Sequence, residues 1–447
     1  MQKYIQIIKQ SWRDKHFGYV LKGSLSTALS LFFVQGLRFM TGILIARFYG
    51  AEASGRLTLV VTVINTAAIF SNFGIRDAMQ KLIPEYTSRY NRRTALHVFE
   101  KGTKYITILS IICSIILYWV SPMLCKIWNE PDMLPYFRGS AVFVVFFVLS
   151  EYFFFSLRAA FKINAANLTL VLPTVIRLLL LLLLTYYWFN INNPIFLHWI
   201  TLCLLPFIFS IYPVYKNLIK PAKGEVLEQQ ISSNTIFNLA FPMLLTYTAF
   251  LVNNSADVFM MKMFGIDTAR VGIYKSCTNI SALATTLLVS LNTTVQPKFT
   301  QLYYSHNFDE IKKLMHKTSK LMFYISLPLF ILLIFFAKKI MQLYGTEFTI
   351  GAGSLAILTV GQLFNTLCGP TAQLLNATGH HKQFRNMAII AACINILLNM
   401  ILIPKYDIEG AAIAGAVSML IWNLLSVIYI KFKFGFYSGY FPFLSSK

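Results

Sequence analysis

Twelve stretches of about 20 mostly apolar residues follow one another along this chain of 447 residues, with only short polar breaks between them. That succession constrains the fold more than any motif. A helix of about 20 residues crosses the hydrocarbon core of a bilayer, and lipid leaves only helices or closed barrels as spanning structures. The runs cover approximately 24–46, 57–78, 105–125, 139–158, 165–188, 194–215, 237–261, 272–296, 319–337, 351–376, 383–403 and 409–431. Unbroken apolar runs such as Leu178 to Leu184 lack the alternation of a barrel strand, so the reading is an all-α integral membrane protein. Hydrophobic residues make up 56% and charged residues only 13%, half the share of an average soluble domain, which excludes an ordinary soluble protein and a disordered one.

The formal charge is +22, from 39 basic and 17 acidic side chains. Most basic residues sit between the runs, so topology accounts for them better than a nucleic-acid partner. With the N-terminus inside, inner segments carry 26 Lys/Arg and outer loops 10, which predicts both termini in the cytoplasm. The expected organisation is a cytoplasmic segment 1–23, an N-lobe 24–220 (spans 1–6), a C-lobe 234–431 (spans 7–12) and a cytoplasmic tail 432–447. No cleavable signal is visible; Ile5, Ile8 and Trp12 share one helical face and suit a short interfacial helix. The six cysteines lie in or beside apolar runs without paired spacing, and read as free thiols rather than disulfide or metal ligands.

The two halves resemble each other. Arg47-Phe48-Tyr49-Gly50 corresponds to Lys262-Met263-Phe264-Gly265 at an offset of 215, each followed by an acidic residue (Glu52, Asp267) and a glycine (Gly55, Gly272). Leu157-Arg158-Ala159 corresponds to Leu375-Asn376-Ala377 at an offset of 218, which also sets Arg177 opposite Asn395. Six spans per half is an even number, so the halves share one orientation and form a parallel repeat.

Polar residues gather at helical spacing on the leading spans of each half: Gln35, Arg38 and Thr41; Thr58, Thr62, Asn65 and Asn72; Thr246, Asn253 and Asp257; Lys275, Asn279, Thr286, Ser290 and Thr293. The third and ninth spans carry no Asn or Gln. A wet cavity between two six-helix lobes explains this, against interhelical hydrogen bonding as the plainer alternative. For Arg38 the plainer alternative is weak. It lies about 4.5 Å past the middle of its span, where an arginine costs at least about 2.5 kcal/mol, so it needs water, an acidic partner or an anionic ligand. Lys275 lies near a span end and can snorkel.

Glu151 and Arg177 sit near the middles of consecutive spans, so they are expected either to pair inside the first lobe or to form a protonatable coupling site. Asp257 is expected to pair with Lys262 or Lys275, or to bind a cation. Pro173, Pro206, Pro242, Pro297 and Pro370 lie in or at the ends of spans and can kink them. The chain has no phosphate loop, no H-E-x-x-H and no nucleophile–base pair; Glu130-Pro131-Asp132 is too short a signal for a glycosyltransferase. An enzyme is therefore not expected, and neither is a metal or cofactor; H⁺, Na⁺ and membrane potential stay open as the energy source.

The stretch Gly42 to Gly55, containing Arg47, Tyr49, Gly50 and Glu52, with a polar second span ending Phe73-Gly74-Ile75, resembles the opening of bacterial polysaccharide flippases. So do Asn238 to Pro242 with Asn253, Asp257 and Lys262, the Leu374 to Gly379 segment, and Gly410 to Gly415. The resemblance spans nearly the whole chain and marks the superfamily of multidrug, oligosaccharidyl-lipid and polysaccharide (MOP) exporters. It implies a V-shaped, two-lobed transporter of the bacterial inner membrane that moves undecaprenyl-diphosphate-linked oligosaccharide units, as in O-antigen and lipopolysaccharide assembly, by alternating access. Implied partners are the lipid-linked oligosaccharide, the bilayer and other polysaccharide-assembly proteins, with no nucleic acid. The candidate cavity residues are then Arg38, Lys275, Arg56, Gln35, Asn65, Asn253 and Asn279, and the candidate ion-coupling residues Glu151, Arg177 and Asp257. The rival readings are a cation-coupled drug or metabolite antiporter of the same superfamily and a membrane-embedded glycan polymerase or glycosyltransferase.

Overall fold

The computed structural model describes residues 17–187 and 194–440, with some side chains inside helices left aside. The proposed interfacial helix around Ile5, Ile8 and Trp12 lies outside the described residues, as do the side chains of Thr246, Thr286, Ser290 and Thr293. The described elements are helical: α1 Phe17–Asn72, α2 Ile75–Arg89, α3 Arg92–Ile127, α4 Leu134–Ala159, α5 Ile163–Tyr187, α6 Pro194–Val214, α7 Ser233–Met263, α8 Thr268–Tyr304, α9 Phe308–Phe335, α10 Ala352–Cys368, α11 Thr371–Ala377 and α12 His381–Phe434.

Two of these are pairs of spans joined across a break. α1 leaves helical geometry at Gly50 (φ 81°), and α12 at Asp407 (φ 53°). Each is therefore an outgoing arm, a turn and a returning arm. Among the described residues eight segments are long and apolar enough to cross a membrane. Two of them are these double arms, and α7 and α8, with 31 and 37 residues, add the last two crossings. The result is twelve crossings in two six-helix lobes, as the apolar runs predict. The face bearing the start of α1 and the end of α12 is called the terminal face below.

Two span boundaries differ from the sequence expectation. The second span stops at Asn72, not at 78: Phe73 and Gly74 take φ of 45° and 74°, and α2 starts afresh at Ile75. A Cβ on Gly74 would lie 2.1 Å from the Ala240 carbonyl, so glycine is required there both for its dihedral and for space. The tenth span stops at Cys368, where Gly369 (φ 74°) and Pro370 break it before α11.

The internal repeat is visible in the backbone. Gly50 and Gly265 both adopt left-handed φ, 81° and 74°. The Leu157 and Leu375 segments end their helices alike: Lys162 N–H donates to Leu157 O, and His380 N–H to Leu375 O, both at 2.8 Å.

The lobes meet at the face opposite the termini. There α1 and α8 touch backbone to backbone: a Cβ on Gly55 would fall 1.8 Å from the Thr268 carbonyl oxygen, and one on Gly272 2.4 Å from Gly55 N. The two glycines paired by the repeat thus face each other across the lobe interface, as expected of a pseudo-two-fold contact. Around them Arg47 Nε donates to Leu343 O (2.8 Å), Ala51 N–H to Glu347 (2.7 Å), and Trp128 packs on Phe259. One apolar core runs through both lobes, whereas a second core, built on Phe299, Met315, Leu374, Phe384 and Ile430, belongs to the C-lobe alone.

α7 divides its loyalties. Its first half packs on the N-lobe, with Phe237 against Phe73 and Tyr105, and Ser233 Oγ 2.5 Å from Tyr105 Oη. Its second half is tied to α12 in the C-lobe. Pro242 lies between the two.

Candidate functional site

Gln35, Arg38, Phe39 and Gly42 of α1 converge with Ser276, Asn279 and Leu283 of α8 and with Tyr344 on a cavity of about 150 Å³ between the lobes. Its position follows from the helix crossing. α1 and α8 are in backbone contact at Gly55 and Gly272, and the cavity opens on the terminal side of that closure. The spacing of Gln35, Arg38 and Gly42 puts all three on one helical stripe. Arg38 and Asn279 are exposed, Gln35 is half-buried, and Tyr344 closes one wall edge-on to Phe39. Among the described residues no carboxylate pairs with Arg38. A guanidinium offers five donors in a planar fork, so a wet pocket with amide and hydroxyl neighbours is suited to a phosphate or another oxyanion.

The structure brings together three of the seven expected cavity residues: Arg38, Gln35 and Asn279. Lys275, half-buried on the same helix, lies within electrostatic reach of Asp257. The remaining three take other positions. Arg56 forms an i,i+4 ion pair with Glu52 (2.6 Å) at the closed face, because the chain beyond Gly50 has already turned away from the cavity. Asn253 is a tie inside the C-lobe: its Nδ2 donates to Ala249 O and Ala388 O, and its Oδ1 accepts from Ser418 (2.8 Å). Asn65 is exposed on the returning arm of α1 and does not line this cavity.

The expected Glu151–Arg177 pair does not form. Glu151 instead accepts from Arg76 Nη1 and Asn72 Nδ2, each at 3.2 Å. The break at Phe73–Gly74 is the reason. It turns Arg76 out of the span in which an uninterrupted helix would have held it, and aims it at α4, where it also lies 4.5 Å from the centre of the Phe155 ring. Arg177 stays buried at 7% exposure, beside His198 and Cys203 of α6.

Asp257 does not pair with Lys262, which reaches across the lobes to Glu130 (2.8 Å). Asp257 is buried, accepts from the Tyr274 hydroxyl, and faces Asn399 (3.5 Å), which in turn donates to Asn395 (3.0 Å). Asn395 Nδ2 and Asn399 Oδ1 have no partner among the described residues. Tyr274 and Asn399 were not singled out from sequence, and Asn395 only as the counterpart of Arg177 in the repeat; the polar positions one turn apart on span eleven were the available signal.

At the closed face, Glu130 accepts from Lys262 and Thr268 and lies near Arg56. Burial pushes its carboxyl up, but the hydrogen bonds and positive charges outweigh that and hold it below the ordinary value of 4.5. A larger cavity of about 340 Å³ lies at the terminal face of the N-lobe, lined by Arg92, Phe99, Lys162 and Asn217, away from the lobe interface.

A twelve-helix bundle in two repeated lobes around a polar cavity is the architecture of a MOP-superfamily transporter. Several solved structures share it, among them the following three. An inward-facing multidrug resistance MATE transporter matches at TM-score 0.74, with 15% identity, covering 90% of this chain and 94% of that one. The lipid II flippase MurJ, in an inward closed conformation, matches at 0.70 with 16% identity, covering 92% and 87%. A MOP-superfamily transporter from Pyrococcus furiosus matches at 0.66 with 15% identity, covering 93% and 96%.

Residues 20–303 match the polysaccharide biosynthesis protein family, and residues 242–401 match MatE. The chain belongs to the polysaccharide biosynthesis protein family. Among its relatives, a probable low-salt glycan biosynthesis flippase, Agl15 of Haloferax volcanii, is 26% identical over 39% of this chain, and the match spans 37% of that protein. An uncharacterised membrane protein of Methanocaldococcus jannaschii is 22% identical over 94% of this chain and 85% of its own length. The relatives whose names assign a role are flippases and transporters.

Proposed function

We propose that the chain flips undecaprenyl-diphosphate-linked oligosaccharide units across a bacterial inner membrane, from the cytoplasmic to the periplasmic leaflet, as one step in the assembly of a surface polysaccharide such as O-antigen. The observation that carries this reading is Arg38: an accessible cation deep between the lobes, with Gln35, Ser276 and Asn279 around it and no carboxylate partner among the described residues. In such a pocket Arg38 forks onto the diphosphate, the amide and hydroxyl groups meet the first sugar, and the prenyl tail stays in lipid. The terminal face is cytoplasmic by the Lys/Arg asymmetry. The lobes are closed on the other face, so this arrangement receives its cargo from the cytoplasm.

Asp257, with Tyr274, Asn395 and Asn399, is the coupling site in this scheme; a buried carboxylate beside the unpartnered Asn399 Oδ1 offers oxygens to a proton or Na⁺. Glu151 has no part in coupling, since Arg76 and Asn72 already occupy it. A drug antiporter with cationic cargo would meet Arg38 as a like charge. The test is genetic: deleting the gene leaves lipid-linked units on the cytoplasmic leaflet, and Arg38→Ala fails to restore surface polysaccharide although the protein inserts normally. Normal polysaccharide with Arg38→Ala, or no accumulation on deletion, contradicts the proposal.

A further inference from the structure

The cavity of about 340 Å³ at the terminal face plays no part in the flippase reading. Three stretches of the N-lobe meet there: the end of α2 with the start of α3, the turn from α4 into α5, and the chain leaving α6. Leu96 and Phe99, each 5% exposed, give it an apolar floor. Arg92 and Lys162 stand on its walls, both exposed. Neither forms an ion pair among the described residues. The neighbouring carboxylates are engaged elsewhere: Glu85 with Arg89 (3.0 Å), Glu100 with Arg93 (3.1 Å), and Glu225 with the Arg93 N–H (3.1 Å). Three further polar groups line the cavity as acceptors. The Thr87 and Ser88 hydroxyls donate to Ile83 O (2.7 Å) and Glu85 O (3.0 Å), and Asn217 Nδ2 donates to Pro213 O (2.8 Å). Their side-chain oxygens remain to accept. The walls thus offer two cations to a phosphate and three acceptors to hydroxyl groups beside it.

An independent observation comes from Phe161. The repeat offset of 218 sets it opposite Gly379, one residue before Lys162 and His380, whose N–H groups end the two helices alike. Both residues take left-handed φ, 58° and 80°. Glycine does so freely, whereas a phenylalanine is strained there. The N-lobe therefore keeps a large apolar side chain where the C-lobe has none, and that side chain lines the cavity while 60% exposed. Strain of this kind persists where it serves a site. Tyr212 and Tyr215, exposed at the end of α6, are the residue type that marks the level of lipid head groups.

We propose that this cavity binds an anionic glycerophospholipid of the phosphatidylglycerol type, taken from the leaflet on the terminal face. Arg92 and Lys162 hold the phosphodiester; Thr87, Ser88 and Asn217 accept from the hydroxyls of the head-group glycerol; Phe161, Leu96 and Phe99 meet the apolar end. A zwitterionic head group would bring an ammonium towards the two cations and is disfavoured. The site lies apart from the lobe interface, so this inference stands whether or not the chain flips lipid-linked sugars.

The test is native mass spectrometry on the full-length protein in detergent, titrated with phosphatidylglycerol, phosphatidylethanolamine or phosphatidylcholine of identical acyl chains, with inorganic phosphate as a soluble competitor. Wild type is expected to retain one phosphatidylglycerol at least about tenfold more tightly than either zwitterionic lipid, and inorganic phosphate not to displace it. The double variant Arg92→Gln, Lys162→Gln loses that preference. The control Lys312→Gln, Lys317→Gln, which removes two charges from exposed positions of α9 at the same face, keeps it. Phe161→Gly suits the left-handed backbone better, yet weakens phosphatidylglycerol binding at least about threefold through the lost apolar wall. Equal loss in both glutamine pairs would mean diffuse surface charge and overturn the proposal, as would a wild type without preference or an unchanged affinity in Phe161→Gly. Displacement by inorganic phosphate would assign the two cations to a soluble phosphate and overturn the lipid. A lower melting temperature in the Arg92, Lys162 variant with the preference intact would leave those residues a structural role only, and the proposal would fall.

Discussion

Arg38 and Arg76 are both arginines that an uninterrupted reading of the apolar runs places inside the membrane, yet their surroundings differ. Arg76 has Glu151 at 3.2 Å and also contacts Asp77 (3.4 Å). Arg38 has a cavity. The depth of Arg38 was legible in the sequence because a charge near the middle of a span is conspicuous; the partner of Glu151 was not, because a two-residue break at Phe73–Gly74 redirects Arg76 without altering hydropathy. Glu151→Gln should therefore lower thermal stability by about 1–3 kcal/mol, the cost of weakening charged hydrogen bonds, while leaving the pH profile of transport unchanged, as a thermal melt and a pH series on the same preparation would show. Glu130 gives the opposite kind of prediction. Its carboxyl is held below the ordinary 4.5, so its grip on Lys262 is fully present above that value and is lost as pH falls through the lowered one. Closure of the lobes at this face should thus persist at neutral pH and loosen only in acid, and Glu130→Gln should loosen it at neutral pH, read as labelling of a cysteine placed next to Gly55.

At the scale of elements, the helix count and most boundaries followed from apolar run length, and the repeat from two short motifs. Its physical meaning emerged only in three dimensions. Gly55 and Gly272 are matched in sequence because they pack against each other where α1 meets α8. A side chain at either position has no room: Gly55→Leu should hold the lobes apart at that face, so that double electron–electron resonance between labels on α1 and α8 reports a longer distance and transport falls, while insertion stays normal. Gly74→Ala tests a separate joint. It sets a left-handed dihedral and a 2.1 Å approach to Ala240 against an added methyl, and should cost more than the roughly 1–2 kcal/mol of the dihedral alone. The sequence also gave no sign that α7 is shared between lobes. Hydropathy does not say which neighbour a helix packs against, and only the aromatic contacts of Phe237 to Phe73 and Tyr105 reveal the choice.

For the whole molecule, a closed contact at one face, a separate C-lobe core and a cation exposed between the lobes are what the proposed alternating-access cycle needs in one of its two states. The apolar composition carries the membrane placement, the Lys/Arg asymmetry the proposed orientation, and the family match the kinship with MOP-superfamily proteins. Substrate chemistry rests on the cavity, where three of seven expected residues converge. The most direct measurement is flipping itself, with purified protein in liposomes loaded with undecaprenyl-diphosphate-linked oligosaccharide and the exposed glycan scored by an added glycosidase. The account predicts leaflet exchange with wild type and at least about a tenfold slower exchange with Arg38→Gln at equal protein incorporation; equal rates for the two proteins, or no exchange above protein-free liposomes, would contradict it.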